Sequence, residues 1–205
     1  MSHILLIGGG GHCRSAIDVI ELEGRYTILG IVQPRRDGQA SVLGYPVVGE
    51  DADLPTLLAR TPLAMVTVGQ IRTSLLRQRL YDLLCQYGAR LPAIISPKAY
   101  VSKHATVAGG TLVMHGAFVN ACAKLGANCI VNTLAQIEHD VVLGDHTHAS
   151  TGCRINGGVV VEPGCFIGSG AVLHEGVRVG AGSVISAGYV VKGDVAPNSL
   201  LKVKT

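Results

Sequence analysis

The chain has 205 residues, 48% hydrophobic but only 4% aromatic, with a formal net charge of +3. This length suits one or two domains with a substantial core. Scattered basic residues and few rings leave no stacking platform for nucleic acid, and no run nears the roughly 18 apolar residues of a membrane span.

The chain opens MSHILLIG, a strand rather than a signal peptide. HILLIG is followed by Gly8-Gly9-Gly10-Gly11 and then a helical stretch, HCRSAIDVIELEG. TILGIV gives a second strand, LPTLLAR a short helix and LAMVTVG a third strand. IRTSLLRQRLYDLLCQYG carries Leu75, Leu76, Leu80, Leu83 and Leu84 at helical spacing, and Gly88 should end it. Strand and helix in alternation predict an α/β domain over residues 1–94, a small Rossmann-like parallel sheet with right-handed crossovers.

From Ile95 the pattern changes to a strict beat of six: Ile95, Val101, Val107, Val113, Val119 and Leu125, on through Leu173, Val179, Ile185 and Val191, with every member aliphatic. Helices repeat near 3.6 and strands at 2, so neither produces a six. A hexapeptide solenoid does. Three hexads make one triangular coil of a parallel β-helix, predicted over residues 95–205. Four residues after each beat position the side chain is mostly small, as at Ala117, Ala123, Cys129, Cys153 and Cys165, because the corners of a prism are narrow. Gly152, Gly158, Gly164, Gly170, Gly176, Gly182 and Gly188 fall three after the beat, where a corner needs tight or left-handed backbone. A generic all-β domain with Gly-rich turns would not hold phase so long. The six cysteines (13, 85, 122, 129, 153 and 165) have no CxxC spacing and several occupy small-residue slots. Reduced thiols in a cytoplasmic protein are expected.

The glycine run is a poor dinucleotide fingerprint. Gly8 and Gly10 fit GxGxxG, but Cys13 stands third, and Gln33 and Pro34 replace the acid expected after the second strand. What remains is a helix N-terminus whose free N–H groups favour a phosphate.

Three stretches, IGGGGHCRSAIDVIE, VGQIRTSLLRQRL and NCIVNTLAQIEHDVVLGDHTHASTGCRINGGVVVEPGCFIGSG, together resemble the NeuD/PglD-type sugar acetyltransferases, over nearly the full length. The resemblance implies a trimeric left-handed β-helix, an N-terminal domain that holds the sugar, and acetyl-CoA as co-substrate in the groove between neighbouring β-helices. It implies N-acetylation of an amino-deoxy sugar on a nucleotide carrier, with O-acetylation of a sialic acid-like nonulosonate as the alternative.

Acyl transfer from a thioester needs a neutral nucleophile, a proton acceptor and donors for the developing oxyanion. His139 in IEHD is the candidate base, two places past Ile137 at a corner, where an imidazole titrating near neutrality can face an intersubunit cleft. Asp140, and less so Glu138, is positioned to fix its tautomer, and the family's acid directly after this histidine matches Asp140. His148 matches a histidine at the acetyl-CoA end, against thioester or pantetheine. Asn132 matches a polar residue near the acceptor amine, and Gly157 offers an N–H to the thioester carbonyl. Gly8, Gly10, Gly11 and His12 are candidates for the sugar-nucleotide phosphates. His104, His115, His146 and His174 read as surface residues.

The sequence also departs from the family. VQPRR ends the second strand where many members carry acids, and PNSLLKVKT lacks a GxPAK-like tail, leaving Lys192, Lys202 and Lys204 as substitutes for coenzyme A phosphate contacts. No metal is expected: a γ-type carbonic anhydrase shares the β-helix but needs two histidines five apart, a spacing this chain lacks. A non-catalytic hexapeptide scaffold is the remaining class.

Overall fold

The computed structural model describes residues 2–34 and 40–203; Arg35 and Arg36 of the VQPRR stretch, and Lys204, lie outside the described residues. Strands β1 (Ser2–Ile7), β2 (Tyr26–Val32), β4 (Tyr45–Gly49) and β5 (Ala64–Val66) run parallel around β1. The short β3 (Ser41–Val42) pairs antiparallel with β4 at the edge, a hairpin the sequence reading did not include. Its turn is Leu43-Gly44, with both residues at positive φ (47° and 87°) as such a turn requires. A leucine gives no hint of that geometry.

Helix α1 (Gly11–Glu23) buries Cys13, Ala16, Ile17, Val19 and Ile20, and ends at Gly24 in the left-handed region. That face joins Ile4, Leu6 and Met65 of the sheet to Ile94, Leu112 and Met114 of the first β-helix coils, so α1 cements the two parts together. Helices α2 (Leu54–Arg60) and α3 (Leu75–Gln86) cover the other face, against Leu5, Ile7 and Val66. Helix α3 starts at Leu75, the first leucine of the pattern and four residues into the stretch that opens at Ile71. Leu80 and Leu84 are buried, but Leu75 and Leu76 face outward.

The rest is a left-handed parallel β-helix. Two-residue strands stack into three sheets, each residue pairing with one eighteen positions on, as Phe118 with Gln136 and Val119 with Ile137. Eighteen is three hexads. The beat residues point inward and are almost all fully buried, each coil stacking on the next. Thr111 and Ser183 occupy the narrow slots by donating their hydroxyls to Gly126 O (2.6 Å) and Ala196 O (3.0 Å), so no polar atom is stranded there. The corner three after the beat is left-handed at every hexad from Gly110 to Gly188. Cys122, Asn128, Leu134, Asp140 and His146 adopt it with φ between 52° and 62°, where the hexads before and after use glycine. After Val191 the phase slips by two: Val195 bridges Val179, and Leu200–Leu201 pairs with Val184–Ile185.

Candidate active site: a cleft on one sheet and a histidine at the opposite corner

Helix α1 begins without a side-chain cap, and a Cβ at Gly10 or Gly11 would meet no atom within 4 Å. The helix N-terminus is therefore open, as an anion site needs. Gly8 has a different task. At φ +104° it passes so close to Val68 that a Cβ would lie 2.4 Å from Cγ2. Gly10, Gly11 and His12 line a hollow of about 410 Å³ with Thr67, Gln70, Asn132 and His148. Nε2 of His12 is buried there without a hydrogen-bond partner among the described residues. Burial first, then the neighbouring His148 and Arg77, push its pKa down to about 3, so the ring is neutral near pH 7.

His148 sits on strand His148–Ala149 and forms the far wall. Its Nδ1 lies 2.8 Å from Gln70 O and must donate, because a carbonyl only accepts. Nε2 is then the acceptor, 3.1 Å from the Asn132 amide nitrogen. Asn132 is oriented by Thr133 N, which donates to its Oδ1 at 2.8 Å. Burial lowers the His148 pKa to about 4. With both nitrogens engaged, this ring is not poised as a general base. Gln70, His148 and Ile71 also line a second, larger groove of about 830 Å³ that runs down the same sheet past Phe166 and Ser169 to Leu200 and Lys202. The two hollows share Gln70, Ile71 and His148 in their walls, and each is of a size suited to ligands. Lys202 stands at the far end of the larger one, whereas Lys192 lines a separate hollow near Asp194.

His139 and Asp140 lie elsewhere. Their corner joins the strands Gln136–Ile137 and Val142–Leu143, which belong to the two sheets that do not carry His148. In a triangular prism that edge is opposite the third sheet, so within one chain His139 faces away from the cleft. Asp140 Oδ2 is 2.9 Å from His139 Nδ1, and both side chains are more than half exposed. Glu138 is engaged otherwise, accepting from the amides of Asn120 (2.7 Å) and Gln136, which lower its pKa. Gly157 lies directly under the ring: a Cβ there would come within 2.6 Å of His139 Nε2 and Cε1.

The structure thus gathers Gly10, Gly11, His12, Asn132 and His148 on one face, and His139, Asp140 and Gly157 at the opposite corner. The sequence reading missed Gln70, whose backbone carbonyl holds His148 and whose side chain crosses to the β-helix at Cys165 O (3.1 Å). It lies in the quoted stretch VGQIRTSLLRQRL, but a glutamine in a loop carries no chemical signal of its own. Two histidines read as surface residues are structural. His115 bridges Ser96 Oγ (2.6 Å) and Asp18 (2.7 Å), and His146 packs edge-on to Tyr81. Among the described residues, no group of three or more His, Cys, Asp or Glu could hold a metal ion, and no helix is long and apolar enough to cross a membrane.

The family model for the PglD N-terminal domain matches residues 3–84. PerB from Caulobacter crescentus, solved with CoA and GDP-perosamine, is 35% identical with a TM-score of 0.89, the match covering 98% of this chain and 93% of that one. The acetyltransferase domain of PglB from Neisseria gonorrhoeae, in complex with acetyl coenzyme A, is 31% identical with a TM-score of 0.90 over 97% of this chain and 94% of that one. WeeI from Acinetobacter baumannii, 20% identical with a TM-score of 0.83 over 98% and 96%, shares the fold.

Proposed function

The chain belongs to the NeuD/PglD family of sugar acetyltransferases, and from this we propose that it moves the acetyl group of acetyl-CoA onto an amino group of a nucleotide-linked amino-deoxy sugar, with His139 as general base. The observation that carries the reading is the cleft itself. One end is an open helix N-terminus beside an unpartnered His12 nitrogen, suited to a diphosphate; the other is a long apolar groove leading to Lys202, suited to a pantetheine arm and its terminal phosphates. His148 lines both.

Bound acetyl-CoA supplies a thioester carbonyl open to attack. Asp140 accepts from His139 Nδ1 and so leaves Nε2 free to take the proton of the attacking amine as its nitrogen bonds to that carbonyl; the carbon–sulfur bond then breaks, and the proton passes from Nε2 to the departing coenzyme A thiolate. The Gly157 N–H, one coil below the ring, donates to the oxygen on which charge develops. Because His139 lies at the edge opposite the cleft of its own chain, the reaction requires a second copy to deliver it. A cyclic trimer, in which each corner inserts against the neighbour's cleft, meets that requirement. Exposed Tyr100, Phe118, Leu134 and Val142 on the outer faces support such an assembly. Residues 1–94 would then serve as the sugar-binding domain and 95–205 as the acyltransferase domain, in a cytoplasmic enzyme.

Nitrogen is favoured over oxygen because the solved PerB carries GDP-perosamine, an amino sugar, beside CoA. The test is incubation with radiolabelled acetyl-CoA and UDP- or GDP-linked 4-amino sugars, followed by hydroxylamine. Label that resists hydroxylamine is an amide and fits the proposal; label released is an ester and points to the nonulosonate alternative. A light-scattering mass near three times 21.3 kDa is expected, and an active monomer would contradict the shared site.

A further inference from the structure

Arg77 of α3 is 1% exposed, yet it forms no ion pair among the described residues. A buried guanidinium held only by neutral groups is costly, so its partners matter. Nη1 donates to Gln70 Oε1 at 2.9 Å, and Nη2 to the carbonyl and, at 3.0 Å, the Oδ1 of Asn128 on the β-helix. The amide end of Gln70 donates to Gly164 O (3.3 Å) and Cys165 O (3.1 Å). The Gln70 side chain is therefore fixed at both ends, which sets the direction of its backbone carbonyl. That carbonyl faces His148 Nδ1.

We propose that Arg77 and Gln70 are positioning residues that lock His148 in the Nδ1–H tautomer, so that Nε2 is presented to the cleft as a hydrogen-bond acceptor for an amide N–H of the acyl donor. A ring so held cannot donate from Nε2 to a thioester carbonyl, so His148 reads the arm of the donor and leaves oxyanion stabilisation to other groups. Without ligand, Nε2 takes the Asn132 amide, which can turn away when a better donor arrives. Arginine suits the task because its planar fork spans acceptors on two elements, the Gln70 loop and the Asn128 corner, while a lysine ammonium is a single compact charge. The choice of ligand rests on the acetyl-CoA reading above; the tautomer lock does not.

The test uses the full-length protein labelled with nitrogen-15 and long-range proton–nitrogen correlation of its imidazoles, with the His148 signals assigned by their loss in His148→Gln. The wild type should show a neutral Nδ1–H ring at pH 7 without ligand. Gln70→Ala and Arg77→Lys should give averaged tautomers and raise the KM for acetyl-CoA by roughly 10-fold, the scale of one lost hydrogen bond, with kcat changed less. Should Arg77→Lys fail to fold, Gln70→Ala, which keeps the backbone carbonyl, still carries the test. An Nε2–H ring in the wild type, or an unchanged tautomer in Gln70→Ala, overturns the lock. A locked ring whose Nε2 resonance ignores saturating acetyl-CoA overturns the ligand assignment alone.

Discussion

Mild acid should destabilise this protein through His148. The ring is 6% exposed, and burial holds its folded pKa at about 4 against an ordinary imidazole value near 6.5. Above pH 6.5 both folded and unfolded chains keep the ring neutral, so the protein holds its full stability. As pH falls through 6.5 the unfolded chain takes up a proton that the folded one refuses, and stability is lost until the folded ring itself titrates near 4. A gap of that size corresponds to about 3 kcal/mol, since each pH unit is worth about 1.4 kcal/mol. His12, held down at about 3, pushes in the same direction; the two rings repel one another, so their effects are not summed. The assay is urea unfolding of wild type and His148→Gln between pH 7.5 and 4.5, at one protein concentration because assembly contributes. The wild type should lose stability faster than the variant, by up to about 1.4 kcal/mol per pH unit between pH 6 and 5. Parallel curves would refute the claim that His148 is buried in its neutral form.

Two alanine substitutions separate backbone from site. Gly170→Ala adds a methyl group that meets no atom within 4 Å but forces a side chain into φ +64°, and should cost about 1 kcal/mol in thermal or urea unfolding with acetyl transfer intact. Gly157→Ala sits at no such φ but would place its Cβ 2.6 Å from His139 Nε2; displacing the ring should lower kcat by about 100-fold with little change in unfolding midpoint. His12→Ala should raise the KM for the sugar nucleotide while acetyl-CoA binding, read by calorimetry, stays the same. Equal losses with a non-phosphorylated acceptor would argue against a phosphate contact.

How far the sequence disclosed this molecule depended on periodicity. The aliphatic beat from Ile95 to Val191 declared the β-helix because one structural unit repeats, and the stacked partners are eighteen apart throughout. Past Val191 the shortened turn at Gly193-Asp194 removes two residues, and a pattern fitted to six cannot follow it. The Leu43-Gly44 hairpin was hidden because a leucine adopts positive φ there. Similarly, Cys122, Asn128, Leu134, Asp140 and His146 take the left-handed corner without glycine. Around the site, His139 and Asp140 were legible as neighbours in sequence, and His12 followed from its place at a glycine-rich turn. Gln70 and Arg77 were not, because their partners lie far along the chain, at Asn128 and Cys165. The same beat places His139 and His148, nine residues or half an eighteen-residue coil apart, on opposite sides of the prism.

The central claim is that His139 removes the proton of an acceptor amine delivered to it by a neighbouring chain, and single-turnover kinetics of His139→Asn with saturating acetyl-CoA and sugar nucleotide test it most directly. Asparagine keeps the corner and the aliphatic stack but cannot accept the proton. The rate of acetyl transfer should fall by about 10²–10⁴, while acetyl-CoA affinity and the assembled mass stay as in wild type. Near-normal transfer in a His139→Asn protein that binds both substrates would contradict the account.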